Sequence, residues 1–411
     1  MRARSGRANR RAGIAALAIL AVGLVSVSVP GPAGAETIGG ESLASTRRTV
    51  DLLPGAKALP EIWADTWILS DATTGEVLAQ KGSHVQRPPA STLKMLTALA
   101  VMPNTAPEDT TVATERAATI YGARVGLRPG KTYTLDQLWY AVFLPSANDA
   151  AIAVAQANGG VKKTVRQMNE TAVTLQANDT VAANTSGLDA PGQLSSAYDL
   201  SLFARAGLAR EDFARYAGTA RAEFPNVRGK GSHTIYTTNR LLLHDYEGMI
   251  GVKTGYTTRA GRTYVGAARR GDTTLLVSLM GIHEASETAA KKLLNWGFAN
   301  HDKVTPVGTL VDPATPEELA AAAEAATAAA SASAAPTPSQ SPSEPVSTDG
   351  SPEVGVTATT AASAADPTSP AGTSSAVVWG AGLLAAAAAA ASLLAMRQRR
   401  RTPADRGRHA A

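Results

Sequence analysis

The 411-residue sequence predicts one α+β domain, and three observations predict it. A hairpin of strand composition opens the central stretch, since residues 67–70 and 77–79 flank the Gly-containing turn Asp71-Ala72-Thr73-Thr74-Gly75-Glu76. Strand composition returns near its far end, over 249–254, 262–269 and 273–280, the last two joined by Arg270-Gly271-Asp272. Between these ends the patterns are helical, so strands and helices are grouped rather than alternating.

Taken in order, residues 1–35 read as a secretory signal. Arg2, Arg4, Arg7, Arg10 and Arg11 precede an apolar run over 13–29, and Ala33-Gly34-Ala35 before Glu36 fits a cleavage site. Residues 36–56 read as an irregular leader, and 57–305 as the folded domain. After the hairpin, Pro88-Pro89 followed by helix formers reads as a loop turning into a buried helix. Helices are expected over 135–144, over 149–157 with Asn158-Gly159-Gly160 closing it, over 161–178, over 199–209, and as a short helix or turn over 212–218. An amphipathic helix over 286–298 closes the domain. Residues 306–375, nearly all Ala, Pro, Ser, Thr and Gly with scattered acids, are too poor in large apolar groups to build a core and read as a disordered linker with some helix over 317–330. Residues 376–396 carry no charge over 21 positions and are followed by Arg397-Gln398-Arg399-Arg400-Arg401. They are expected to be a transmembrane helix, with the basic tail 397–411 held on the cytoplasmic side.

Composition narrows the function classes. There is no cysteine, so disulfides and thiolate metal sites are excluded. The net charge of +5 belongs to the two ends: five arginines and no acid lie in the first 35 residues, six arginines and one acid from Arg397 onward. A nucleic-acid partner therefore has no support. The six histidines show no His-Glu-x-x-His spacing, and no Gly-rich phosphate loop is present, so no metal or cofactor is expected.

Three short motifs carry chemistry. In Ser91-Thr92-Leu93-Lys94 the serine stands in the first helical turn, where free N–H groups favour developing negative charge. Residues three apart share a helix face, so the Lys94 amine can reach the Ser91 hydroxyl. A lysine desolvated among Met95, Leu96 and Leu99 has its pKa lowered toward that of a usable base. In Leu144-Pro145-Ser146-Ala147-Asn148-Asp149, between two helices, Ser146 can relay a proton and Asn148 can orient a substrate carbonyl and the Lys94 amine. In Val252-Lys253-Thr254-Gly255-Tyr256, at a strand end, Lys253 offers a positive charge and Thr254 a hydroxyl. Gly255 leaves room for an extended ligand, and the Tyr256 backbone N–H can join that of Ser91 as an oxyanion hole. Each motif alone is ordinary turn or helix sequence; Ser-x-x-Lys and Lys-Thr-Gly each occur once in the chain.

From about Trp63 to Phe298 the sequence resembles the low-molecular-mass penicillin-binding proteins, specifically the D-alanyl-D-alanine carboxypeptidase family of serine peptidases. The resemblance includes flanks as well as motifs: Asp71-Ala72-Thr73-Thr74-Gly75, Gly187-Leu188-Asp189, Asn239-Arg240-Leu241-Leu242 and Lys292-Leu293-Leu294-Asn295-Trp296-Gly297-Phe298. It implies the serine β-lactamase/DD-peptidase fold, an antiparallel sheet flanked by helices. It implies Ser91 as the acylated nucleophile, Lys94 as its proton acceptor, Ser146 and Asn148 on the opposite wall, and Lys253 and Thr254 at the substrate's terminal carboxylate, with Arg259 as a further carboxylate contact. The implied substrates are peptidoglycan stem peptides, with β-lactam antibiotics as covalent inhibitors, and the implied place is the outer face of the cell membrane. The sequence departs from the family in two respects: the β-rich second domain of many relatives is not expected, and a transmembrane span replaces an amphipathic anchor. A β-lactamase, an endopeptidase or transpeptidase on the same fold, and an idle wall-binding protein are the alternatives. The Glu-x-x-Leu-Asn loop of class A β-lactamases is not found, and the intact Ser91, Lys94, Asn148 and Lys253 speak against an idle protein.

Overall fold

The computed structural model of the chain describes residues 37–226 and 230–333. The expected signal segment, the linker beyond residue 333, the transmembrane helix and the basic tail lie outside the described residues, among which no helix is long and apolar enough to cross a membrane.

The chain begins with β1 (Arg48–Leu52) and the hairpin β2 (Ala64–Asp71) and β3 (Glu76–Lys81). Its turn is set by Asp71, whose Oδ1 accepts from the Thr73 and Thr74 amides at 2.7 and 3.3 Å, and by Gly75 at φ 84°. A 3₁₀ turn, Ala90–Leu93, runs directly into α1 (Lys94–Val101), every residue of which is buried. The small hairpin of β4 (Thr110–Val112) and β5 (Thr132–Thr134) encloses α2 (Glu115–Ala118). Then come α3 (Leu135–Phe143) and α4 (Asn148–Ala157). The first is started by a capping box in which Thr134 and Gln137 satisfy each other's backbone amides. Gly159 and Gly160, both at positive φ, turn the chain into α5 (Val161–Thr174). Helices α6 (Ala197–Leu208) and α7 (Glu211–Ala217) follow, then the hairpin of β6 (Arg221–Pro225) and β7 (Ser232–Tyr236) and the short α8 (Arg240–Leu243). The last part supplies β8 (Met249–Thr257), β9 (Gly261–Arg270), β10 (Thr273–Ile282), α9 (Ser286–Asn300), β11 (Val304–Thr305), β12 (Gly308–Thr309) and α10 (Pro316–Ser333).

Eight of these strands form one antiparallel sheet in the order β11-β1-β3-β2-β10-β9-β8, with β12 pairing β3. Its centre joins the two ends of the domain, because β2 lies beside β10. Period-2 alternation divides the two faces. On β10, Leu275, Val277 and Leu279 join Leu293, Leu294 and Trp296 of α9 in one core, while Leu276 and Met280 join α1, α3, α4 and α6 in the other. Each fully buried Leu or Met contributes about 1.5–3 kcal/mol. Ser278, on the helical face, is not left unpaired: Ser201 of α6 meets its hydroxyl at 2.8 Å. The antiparallel sheet with helices on both faces is the arrangement the resemblance implies.

Two boundaries differ from the sequence reading. Residues 36–56 are not irregular throughout, since Arg48, Thr49 and Val50 pair with Lys81, Gln80 and Ala79, and Leu43 is fully buried. That segment carries too few apolar residues to announce a strand; the open edge of β3 recruits it. Likewise, residues 306–313 are part of the domain rather than linker. Gly308 and Thr309 pair with Val77 and Glu76, and Leu310 is buried. The hairpin β6–β7 was also invisible, because among its alternating residues only Phe224 and Ile235 are buried.

Candidate active site

One local and one tertiary bond place the nucleophile turn. The Pro89 carbonyl accepts from Thr92 Oγ1 at 2.6 Å and from Thr263 Oγ1 of β9 at 3.0 Å, fastening the turn to the sheet. Ala90, just before Ser91, is held at φ 50°, a left-handed conformation that costs a non-glycine residue about 1–3 kcal/mol. Ser91 stands in the 3₁₀ turn, half-buried, and Lys94 is the first residue of α1 and fully buried.

The Lys94 amine has three partners: Ser91 Oγ at 2.8 Å, Asn148 Oδ1 at 2.7 Å and the Ser186 carbonyl at 2.7 Å. The last two can only accept. A neutral amine has two hydrogens and one lone pair, so with both hydrogens committed its lone pair is left for the Ser91 hydroxyl proton. The electrostatics favour that neutral form. Burial, and next the charge of Lys253, push the Lys94 pKa well below the usual lysine value, against an upward pull from Asp149.

The Ser146 to Asn148 loop supplies the facing wall. Asn148 Nδ2 donates to the Tyr121 carbonyl at 2.9 Å, which turns its oxygen toward Lys94. Ser146 is held at φ 62° beside it, and its buried Oγ has no hydrogen-bond partner among the described residues. The structure thus brings Asn148 to the Lys94 amine, and leaves the Ser146 hydroxyl in the same cleft uncommitted.

On β8 the three motif residues part company. Lys253 pairs with Val265, whose side chain joins the helical core, and is 1% exposed; its amine donates to the Thr254 carbonyl at 2.8 Å. Burial lowers its pKa to about 7. Thr254 instead lines the cleft, its hydroxyl 2.6 Å from that of Thr238. Gly255 lines the cleft and has a further reason to be glycine: a Cβ there would collide with Thr263 Oγ1 and stand 2.7 Å from the Ser91 nitrogen, so the glycine also lets the strand close on the nucleophile turn. That contact brings the Ser91 amide beside β8, one residue from Tyr256, whose exposed ring lines the cleft.

The cleft encloses about 710 Å³ and is lined by Ser91, Ser146, Asn148, Thr254, Gly255 and Tyr256 among others. A larger cavity of about 850 Å³ lies elsewhere, between Arg205, Met249, Arg269 and Asp312, and contains none of the motif residues. Arg259 does not line the cleft; Arg240 and Arg262 do. The two carboxylates lining it are engaged: Asp189 accepts from Thr257 Oγ1 at 2.8 Å, and Glu287 lies 3.7 Å from Arg240.

The motif reading missed the 184–188 turn. Asn184 Oδ1 accepts from the Ser186 and Gly187 amides at 3.1 and 2.8 Å, which presents the Ser186 carbonyl to Lys94. Gly187, at φ 82°, lies so close to the Ala90 carbonyl that no side chain fits. Asn184-x-Ser186-Gly187 is a turn signature, the one signal that could have drawn attention to it.

Comparison with known proteins identifies the family. The family model described as D-alanyl-D-alanine carboxypeptidase matches residues 54–284. The chain is 39% identical over 263 residues to the D-alanyl-D-alanine carboxypeptidase DacB2 of Mycobacterium tuberculosis, covering 62% of this chain and 89% of that one. It is 34% identical over 271 residues to DacD of Escherichia coli, also a D-alanyl-D-alanine carboxypeptidase, covering 61% and 67%. A crystal structure of a D-alanyl-D-alanine carboxypeptidase from Mycobacterium tuberculosis superposes with a TM-score of 0.59 at 38% identity, over 63% of this chain and 99% of that one. The Streptomyces K15 DD-transpeptidase gives 0.56 at 27% identity, over 59% and 100%.

Proposed function

We infer the reaction from the family to which this chain belongs, the D-alanyl-D-alanine carboxypeptidases, and from the surroundings of Ser91: the protein removes the terminal D-alanine from peptidoglycan stem peptides through an acyl-enzyme on Ser91. The observation that carries the mechanism is the Lys94 amine, whose two hydrogens are directed at Asn148 and Ser186 and whose lone pair is left for Ser91. Ser91 Oγ attacks the carbonyl of the penultimate D-alanine as its proton passes to Lys94 Nζ. The negative oxygen is met by the Ser91 and Tyr256 backbone N–H groups. The C–N bond breaks, the D-alanine amine takes the proton from Lys94, with the Ser146 hydroxyl as relay, and D-alanine departs. Water then gives its proton to Lys94 as it attacks the ester, and Lys94 returns that proton to Ser91 Oγ as the C–O bond breaks and the shortened peptide leaves. Thr254, with the buried charge of Lys253 behind it, faces the substrate's terminal carboxylate.

A β-lactam acylates the same serine. The Glu-x-x-Leu-Asn loop of class A β-lactamases is not found in the sequence, which supports slow release of a penicilloyl group and weighs against the β-lactamase reading. Likeness to a transpeptidase means that an amine can replace water in the second step; hydrolysis is favoured by the family description and the DacB2 relative. The charged and apolar leader over 1–35 and the uncharged 376–396 span support a single-pass membrane protein with this domain outside the cell.

The test is mass spectrometry of the purified domain after penicillin, alongside D-alanine release from a D-alanyl-D-alanine peptide. The expected result is one adduct on Ser91 and release that Ser91→Ala abolishes. An adduct on another serine, or no release of D-alanine, would overturn the reading.

A further inference from the structure

Beside the cleft, Asp149 is a buried carboxylate that the reaction as written does not use. It is fully buried, and no basic side chain lies within ion-pair distance of it among the described residues. Its charge is held instead by four backbone amides: Oδ1 accepts from Val125 at 3.1 Å and Ala150 at 3.0 Å, and Oδ2 from Gly126 at 2.8 Å and Leu127 at 2.9 Å. Three of the four belong to one segment some two dozen residues earlier in the chain, and Gly126 takes φ 86° in it.

The same segment grips the neighbouring residue. The Ala123 carbonyl accepts from the Asn148 backbone amide at 2.7 Å, and the Tyr121 carbonyl from Asn148 Nδ2 at 2.9 Å. Gly122, at φ 89°, is so near that a Cβ would stand 2.8 Å from Asn148 Nδ2. An amide side chain can present either its oxygen or its nitrogen to a neighbour; the Tyr121 carbonyl settles which, because it can only accept. Tyr121 and Ala123 also line the cleft, so the segment is at once its wall and the template for Asn148.

We propose that Asp149 is a positioning residue for this reaction: its carboxylate pins residues 125–127, and the pinned segment turns the Asn148 oxygen toward the Lys94 amine. The inference rests on the reaction proposed above. Asp149 has a second, electrostatic reach. The charged groups acting on Lys94 are Lys253 on β8 and Asp149 on α4, the first lowering and the second raising its pKa.

Two variants separate the two effects. Asp149→Asn removes the charge and sets an NH₂ group against backbone N–H groups. The expected kcat on a D-alanyl-D-alanine peptide falls about ten- to hundredfold, the range a misplaced catalytic group produces, with KM little changed. The acid limb of kcat/KM, which follows deprotonation of Lys94, moves to lower pH because an anion that raised that pKa is gone. Gly122→Ala keeps the carboxylate and crowds Asn148 from the segment's side. It is expected to lower kcat similarly and leave the acid limb in place. Near-wild-type kcat in Gly122→Ala would overturn the proposal, as would a folded Asp149→Asn with unchanged kcat and pH profile. If Asp149→Asn does not fold, near-wild-type kcat in Gly122→Ala still overturns the proposal. Wild-type protein run in parallel keeps the tests distinct: no D-alanine release from wild type counts against the reaction itself, whereas an active wild type with indifferent variants counts against Asp149.

Discussion

Two lysines are buried behind one cleft, and they are treated in opposite ways. Lys94, at the start of α1, has three oxygens within 2.8 Å of its amine, each from a different part of the chain. Lys253, on β8, has one, the carbonyl of its own neighbour Thr254. Both have lowered pKa values and burial is the leading cause of each, but the consequences differ. A saturated amine is aimed, and can only do chemistry along its remaining direction. An amine with a single bond, buried behind the cleft wall rather than lining it, acts on the cleft through its charge. The comparison teaches that burial alone makes a lysine unusual, while the number and type of its partners decide whether it acts as a base or as a field.

The largest effects should fall on the Lys94 side. Lys94→Met, which preserves volume but removes the base, is expected to slow acylation about 10³- to 10⁴-fold, measured by single-turnover labelling with a fluorescent penicillin. Melting curves should show the fold retained. A loss under tenfold would mean that another group accepts the Ser91 proton, and the contrast between the lysines would collapse.

Next comes Lys253→Met. Activity on a peptide with a free terminal carboxylate should fall about ten- to hundredfold, and less on an amidated analogue. The same substitution should stabilise the protein, and the sign with pH follows from linkage. The folded pKa of about 7 lies below the usual lysine value of 10.5, so between these pH values the unfolded chain binds more protons and wild-type stability rises with pH. The penalty for burying the charge is present in full below about pH 7 and fades toward pH 10.5. Lys253→Met should therefore raise the melting temperature more at pH 6 than at pH 9.5. An equal gain at both would show that the folded pKa of Lys253 is not lowered at all.

Smaller effects sharpen the division. Ser146→Ala removes a hydroxyl that has no partner among the described residues, so stability should change by less than about 0.5 kcal/mol while peptide turnover drops about tenfold. Were stability to fall by more, the hydroxyl would be structural. Thr254→Val loses its bond to Thr238 and a cleft-facing donor; KM for the peptide should rise a few-fold with kcat nearly unchanged. A drop confined to kcat would move Thr254 from carboxylate binding to the catalytic step.

Much of the site was legible because its motifs are local. Ser91 and Lys94 are three residues apart on one helical start, and the lysine's apolar neighbours already imply desolvation. The helices over 135–144 and 149–157 and the strands over 249–280 announced themselves through period and turn residues, within a few positions of where they lie. What failed was short, polar or dependent on a partner. The strand β1 exists because β3 offers it hydrogen bonds, and β12 exists for the same reason on a different stretch of β3. The role of Gly255 could not be read from a strand alone, since two of the three atoms a Cβ there would meet belong to Ala90 and Ser91, more than 160 positions away.

The sequence by itself determined the fold class, the Ser91–Lys94 pair at a helix start and the apolar helix that carries it, because these follow from spacing and composition within a few turns of chain. Tertiary structure alone decided how that base is aimed. Asn148 and the Ser186 carbonyl take up the lysine's hydrogens only after α4 and the 184–188 turn have packed against α1. The Lys253 charge reaches Lys94 only because both sit where water cannot screen them. Orientation and dielectric are properties of the packed interior, and no single segment possesses either one.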